Sequence, residues 1–562
     1  MTQLIKMRKI LVLLLFLFPT ILVFSQDLKT TEIKVVERIK VAVPDAVKLN
    51  TKASFSDTTK EDKNQEYLFF DKVFYSNFIT RQLVPARIKN SSKIDVNSTS
   101  IKLLLGNYSF RSAKISYNSK YKKSFSYGLS LATDKTKYKT EEEFSVRNNN
   151  QMLYFFTKSI LSKNIILSSF SYEKFVAQHD YSNTIHNDNE NQFSYSEILC
   201  SINSRNFEGN RLVHKTSFFF TDLNSSTENH FSLNSEISNF NLYRPLNLLV
   251  TYNNYTNYTN RATSFGRNKT DIKIIDINPS LIINKSGFDI DLGFNLGFEN
   301  NGSANIIGIF PLIKVNKELV DDILNISFGI DRSDYRNTIS SLSRENPYIH
   351  SFGLNSGSVN DSINYSHLLE TTDLYETFFT LKNKLSHNDF LDLNMSYGRI
   401  LNLHYFDLQF INDYNRFSVD YIDVWQLRLN GKYQKKFNNL LALNFNVNYV
   451  NWFDEIVPHK AKLTSNLELP FTLRNKIIII PSLNYIGKRQ ANQMSVNLIY
   501  PPEFDLIELD EQYLIDLNIH YSYSKKLSFH IDLNNLTNSK KELWNGYQQI
   551  GLNMSFGLNC LF

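Results

Sequence analysis

From about Thr99 to the C-terminus the chain alternates apolar and polar residues in short runs, separated by clusters of Asn, Asp, Ser, Gly and Lys. In the run from Phe288 to Phe298 the even positions are Phe, Ile, Leu, Phe, Leu and Phe, while Asp289, Asp291, Gly293, Asn295 and Gly297 take the odd ones. Leu324, Ile326, Phe328 and Ile330 alternate with Asn325, Ser327, Gly329 and Asp331 in the same way. So do Leu441 to Tyr449 and Leu527 to Leu533. Successive side chains on a strand point to opposite faces, so each run predicts a strand with one apolar and one wet face.

The wet face is too polar for a dry core. A soluble sandwich also buries one face and wets the other, so no single strand decides between architectures. Repetition over most of the chain does, because strands that expose an apolar face to lipid must close on themselves to leave no unpaired edge. The pattern therefore predicts an all-β protein, a transmembrane antiparallel β-barrel of about 22 strands (range 22–24), with the polar set lining the lumen. Ser524-Lys525-Lys526 and Lys436-Phe437-Asn438-Asn439 read as short periplasmic turns. Thr338 to Asp373 and Ala491 to Asp510 read as long extracellular loops, with Met494 to Tyr500 able to extend a strand.

The last run, Gln549 to Phe562, has Ile550, Leu552, Met554, Phe556, Leu558, Cys560 and Phe562 on one face and ends on that terminal aromatic. Such an ending fits the last strand of a barrel, and its apolar face is the expected insertion signal for the barrel-assembly machinery. At the other end, Lys6, Arg8 and Lys9 precede an apolar stretch from Ile10 to Phe24, too short to span and followed by Ser25-Gln26. This reads as a secretory signal peptide over 1–25. Residues 26–97 are polar and weakly periodic, and 98–562 carry the barrel pattern. The expected location is the outer membrane of a Gram-negative cell, with outer-membrane lipid as the surrounding partner.

Composition sharpens this. Mean hydropathy is −0.30, as in a soluble protein, yet 14% of residues are aromatic. A barrel reconciles the two, because half of each strand faces lipid and aromatic girdles mark the interfaces. The net charge of +6 is dispersed, which argues against nucleic acid as a partner. Cys200 and Cys560 are too few for a disulfide framework and read as small apolar residues.

Near the C-terminus, Asp532-Leu533-Asn534-Asn535-Leu536-Thr537-Asn538 is followed by Leu543-Trp544-Asn545-Gly546-Tyr547 and then the final strand. This order resembles the end of TonB-dependent receptor barrels, with Asn535, Leu536, Asn538, Trp544, Gly546 and Tyr547 carrying the likeness. Val457-Pro458-His459-Lys460-Ala461 and Tyr485-Ile486-Gly487-Lys488-Arg489 look like the same family's preceding hairpins. The resemblance implies transport of a solute across the outer membrane and TonB as a partner. The family's plug domain has no counterpart of full size here, since only 26–97 could supply it. Within that segment Ile33, Lys34, Val35 and Val36 resemble a TonB box, an extended piece able to add as a strand to a partner. A barrel without a full plug also suits an accessory or structural subunit of an export or assembly complex, with a partner filling the lumen.

No catalytic arrangement is evident, and the chain reads as a non-enzyme needing no cofactor. His179 and His186 fall in an expected loop. His520 and His530 sit on wet faces of adjacent strands, with Asp516 and Asp532 near, and read as a lumenal polar cluster ahead of a metal site.

Overall fold

The computed structural model describes residues 98–562 except 121–123, 141–144, 180–189, 206–211, 225–227, 241–244, 258–269, 301–304, 350–368, 412–413, 454 and 495–503. The expected signal peptide over 1–25, the 26–97 segment with Ile33 to Val36, and His186 lie outside the described residues.

The strands follow the alternation. They are β1 (Thr99–Gly106), β2 (Arg111–Asn118), β3 (Phe125–Lys139), β4 (Ser145–Ile160), β5 (Asn164–His179), β6 (Glu190–Ser204), β7 (Leu212–Leu223), β8 (Glu228–Asn239) and β9 (Leu246–Asn257). Then come β10 (Thr270–Lys285), β11 (Phe288–Asn300), β12 (Asn305–Val320), β13 (Leu324–Arg336), β14 (Thr371–Ser386), β15 (Asp389–Ile411), β16 (Tyr414–Lys436) and β17 (Ala442–Phe453). Leu463–Glu468 and Phe471–Leu473 form one strand interrupted at Leu469-Pro470, since both pair with Ile477–Ile486. Gln512–Ser522, Leu527–Asn534 and Asn553–Leu561 complete the wall. Each pairs antiparallel with its neighbour, and β1 closes the ring on Asn553–Leu561, giving the 22 strands the pattern predicted.

The lipid face is the expected one. Phe294, Phe328, Met395, Met554 and Phe556 stand exposed, while Ser327, Asn295, Ser555 and Gly557 point inward and are covered. The final strand begins later than the alternation suggested. Gln549 to Leu552 stay outside it, because Leu552 and Ile550 give their backbone groups to Asn538 and Asn535 instead of to a ladder. At the closure Gly557 sits opposite Leu104, and a Cβ there would collide with that side chain and with the Leu103 carbonyl. Only glycine allows so close an approach.

Short turns and both ends of the sheet share one end of the barrel, which is the periplasmic end in this architecture. Ser286-Gly287 and the Ser524 and Asn438 turns lie there. The long connections share the other end. Three of them carry more structure than a plain loop, and in the last, before the final strand, Glu542–Trp544 pairs with Tyr547–Gln548. Ile339–Glu345 is a helix, α1. Arg489–Met494 pairs with Phe504–Leu509 as a small hairpin where a continuous loop was expected, because its residues alternate well enough to pair with each other off the wall.

Candidate functional site at the extracellular mouth

The four strands β13 to β16 do not behave as wall along their whole length. At β15 the register with β16 shifts between Ile400 and Leu403, and Asn402 takes a left-handed φ of 55°. An extra residue on one strand is a bulge, which bends the sheet and exchanges the faces of all later side chains on that strand. Asn402 is fixed there by Asp423, whose carboxylate accepts its N–H at 2.9 Å, and by Thr372, whose hydroxyl donates to its carbonyl at 2.6 Å.

Below the bulge, Trp425 and Leu429 of β16 are exposed on the lipid face. Above it, Val419 and Phe417 carry that same face on, now opposite Phe406 and Leu408, and all four are buried. Their cover comes from the far side of the barrel. Phe193 and Tyr195 of β6, Leu223 of β7 and Ile339, Leu342 and Ile349 join them in one apolar cluster. In a ring of 22, β6 and β16 stand ten strands apart, nearly opposite. The upper parts of β13 to β16 therefore form a blade across the mouth, with α1 wedged between it and the opposite wall.

Polar contacts fix α1 to that wall. Thr338 caps its N-terminus, and the Glu228 carboxylate of β8 accepts from the Ile339 and Ser340 N–H groups at 2.8 and 3.2 Å. Those donors have no partner within the helix, and a carboxylate at a helix N-terminus also meets the favourable end of its dipole. The Tyr195 hydroxyl bonds Ser343 at 2.8 Å. Arg344 reaches Glu173 and Glu197 at 3.1 and 2.6 Å and lies over the Tyr195 ring. Asn191 of β6 donates to the carbonyls of Pro347 and Ile349, and Ile349 forms a bridge with Phe417.

The motif that carried the family resemblance sits here too. Trp544 packs on Phe406, Phe417 and His459, and Tyr547 on Phe417, Tyr348 and His179. Gly546, at φ 79°, makes the turn between them. Asn535 holds the base of this connection, donating to the Ser539 and Ile550 carbonyls, and Asn538 accepts from Leu552 N–H, while Leu536 is exposed. His179 was expected in a loop and instead ends β5, buried against Tyr547.

Two titratable groups respond to this packing. Burial pushes the His459 imidazole down to about 4, with the Arg489 and Lys460 cations acting in the same direction. As a neutral ring it donates from Nδ1 to the Phe406 carbonyl at 2.9 Å and accepts the Asn545 N–H at Nε2. Burial acts to raise the Glu345 carboxyl, but His404 at 2.7 Å and Lys460 at 3.1 Å outweigh it and hold the group at about 2.

Beneath the blade the inner wall is polar. Asp392, Asn394, Asn430, Asn446, Asn466 and Asn484 border a cavity of about 680 Å³. Asn466 donates to Asn484, and Asn484 to Asp516. His520 and His530 face each other at 3.3 Å on the same inner wall, as the lumenal cluster expected of them, whereas Asp516 turns to Asn484 and to the Asn535 N–H. Among the described residues no three or more His, Cys, Asp or Glu converge as metal ligands.

Sequence pattern alone missed Glu228, Arg344 and His459 as closure residues. It missed Arg332 and Arg336 as well, although their signal was present. They fall, with Asp334, on positions of β13 that face lipid lower down, so that part of the strand cannot lie in hydrocarbon.

A closed antiparallel barrel with a lipid-exposed apolar band, a polar lumen and long connections at one end is a large outer-membrane β-barrel. Solved structures agree on the fold. The chain is similar to the pyoverdine outer membrane receptor FpvA from Pseudomonas aeruginosa PAO1, with 11% identity, TM-score 0.58, and 83% of this chain and 79% of that one covered. It is similar to the copper transporter OprC at 10% identity and TM-score 0.58, covering 83% and 82%. The siderophore receptor PirA from Acinetobacter baumannii matches at 11% identity and TM-score 0.58, covering 84% and 81%. No protein-family model matches the chain, and no curated protein matches it.

Proposed function

We infer that this barrel carries a hydrophilic solute across the outer membrane and holds its extracellular mouth shut with the β13 to β16 blade and α1. The observation that carries the reading is the apolar cluster joining Tyr195 on one wall to Phe417 on the other above an asparagine-lined lumen. A polar lumen suits passage of a water-soluble molecule, and an aromatic cluster spanning the mouth suits control of it. The receptors with the same fold bind pyoverdine or transport copper, which supports transport as the class of function.

Energising this passage falls to the segment Ile33 to Val36, which would add as a strand to TonB. Deleting it should leave the barrel in the membrane and stop uptake; unchanged uptake would remove TonB from the reading. The closure itself is tested by single-channel recording of the purified full chain. Wild type should conduct little, and Phe417→Ala with Trp544→Ala should conduct steadily. Equal, large conductance from both would overturn the reading of the mouth as closed.

A further inference from the structure

The ladder between β12 and β13 runs from Val320↔Leu324 to Ile313↔Ile330 and stops, although both strands continue. β12 stays on β11 as far as Asn305, and β13 stays on β14 as far as Arg336. Among the described residues, Asn305 to Leu312 thus has a strand neighbour on one side only. A barrel wall does not leave such an edge bare to lipid; it persists only where protein or a watery cavity covers it.

Here the cover is the blade itself, tucked behind the wall. Phe310 of β12 meets Tyr375 of β14, ring centroids 5.2 Å apart. Arg332 reaches Asp276 on β10 at 3.9 Å and Asp373 at 2.6 Å, and Arg336 reaches Glu299 on β11 at 3.7 Å. Asn295 of β11 donates to the Asp331 carboxylate and to the Arg332 carbonyl at 2.9 and 3.1 Å. A side chain of β11 thereby takes a β13 backbone acceptor that faces the open side. The overlap is loose: a cavity of about 190 Å³ bordered by Asp276, Glu299, Ile306, Ile307 and Arg332 lies within it. A Cβ added at Gly308 would touch nothing.

The free edge also fits the strand that left it. Continuing the register from Ile313↔Ile330 sets Phe310 opposite Ser333 and Gly308 opposite Tyr335, inner face to inner face, with no slip. Pro311, opposite Arg332, brings no N–H to a ladder, and proline in a strand belongs at an edge. That residue makes the upper ladder separable where the lower one is not.

We propose that the β12–β13 seam is the line along which the mouth opens and shuts. The blade leaves the lumen when β13 zips onto the free edge of β12 and Arg332 and Arg336 release Asp276 and Glu299. It returns when those residues unzip. Once zipped, Arg332, Asp334 and Arg336 face outward opposite Pro311, Ile309 and Ile307, at the extracellular end of the strand. The proposal rests on reading the blade as the closure of a transport lumen.

Cross-linking of the full chain in native outer membranes tests it, after Cys200→Ser and Cys560→Ala remove the native thiols. Phe310→Cys with Ser333→Cys reports the zipped state, and Phe310→Cys with Tyr375→Cys the tucked one. Asn316→Cys with Ser327→Cys, paired in the lower ladder, is the positive control. With a short thiol-bridging reagent, both reporting pairs should bridge. Adding Arg332→Ala and Arg336→Ala should raise the zipped yield about tenfold relative to the tucked one. The zipped cross-link should hold the channel conducting and the tucked one should hold it shut. If the control bridges and the zipped pair never does, in either background, the seam is static and the proposal is overturned. Uptake that persists in that case leaves the transport reading standing. A zipped cross-link that opens the channel of a protein with no uptake supports the seam and removes the transport reading.

Discussion

The lower and upper halves of β13 to β16 have the same strand chemistry and different surroundings. In the lower half Phe328, Met395 and Leu429 stand in lipid and their wall neighbours are sequential. In the upper half the same face carries Arg332 and Asp334, covered by the nearby β10 wall, and Phe417 and Val419, buried against protein from across the barrel. The contrast shows that strand periodicity fixes which residues share a face, whereas the medium that face meets is set by bulges and by where ladders stop. A face turned to lipid needs apolar residues all along. A face turned to protein tolerates ion pairs when each charge finds a partner.

The sharpest way to break the comparison is to remove its hinge. Deleting Asn402 keeps Leu403↔Ile422 and every later pair but removes the extra residue that bends β15, together with its anchors to Asp423 and Thr372, so the blade loses its bend. The expected outcome is a barrel that still assembles, judged by heat-modifiable mobility, and conducts continuously. A deletion variant as tightly shut as wild type would show that the bulge does not direct the blade.

Next comes a charge placed in each half. Phe328→Arg puts a cation in the apolar band, which costs about 2–4 kcal/mol near the bilayer midplane and should lower the amount of folded barrel. Arg332→Phe, on the same face only two pairs further along, should leave the folded amount unchanged. Equal assembly defects from the two would mean that upper β13 also faces lipid.

What local sequence encodes follows from the same contrast. Strand existence, strand number and the lipid face were legible, because alternation depends on local chemistry alone. The final strand was legible the same way, and the Trp544 to Tyr547 turn through resemblance. The closure was not. Glu228 recognises α1 across 111 positions, and Phe406 joins the cluster of Phe193 only because a bulge exchanges faces on β15. No local periodicity encodes such a meeting. The charged run from Asp331 to Arg336 was the one written warning that the wall ends there.

Acid should separate the closure from the wall. His459 is held neutral, at about 4 against the ordinary 6.5, so the folded mouth binds fewer protons than an opened one between those values. Its contribution is complete above 6.5 and is lost as pH falls toward 4, by about 3 kcal/mol in all. Glu345 stays ionised through this window, because it is held at about 2, and contributes nothing to the change. Channel recording from pH 7 to pH 4 should show rising open probability in wild type, and His459→Asn should flatten the profile. An unchanged slope in that variant would assign the transition elsewhere.

The smallest effect distinguishes the rim of the closure from its seam. Arg344 has a side chain 42% exposed, whereas that of Arg332 is 12% exposed. Water and salt screen the first pair with Glu173 and Glu197, and exposed pairs are worth roughly 0–1 kcal/mol. Arg344→Ala should therefore raise open probability only modestly, and its difference from wild type should vanish in high salt. Arg332→Ala should act more strongly and persist in the same salt, because burial shields its pair with Asp276 across the seam from counterions. Equal salt sensitivity of the two variants would place the seam in solvent, and the distinction between a wet rim and a covered hinge would fail.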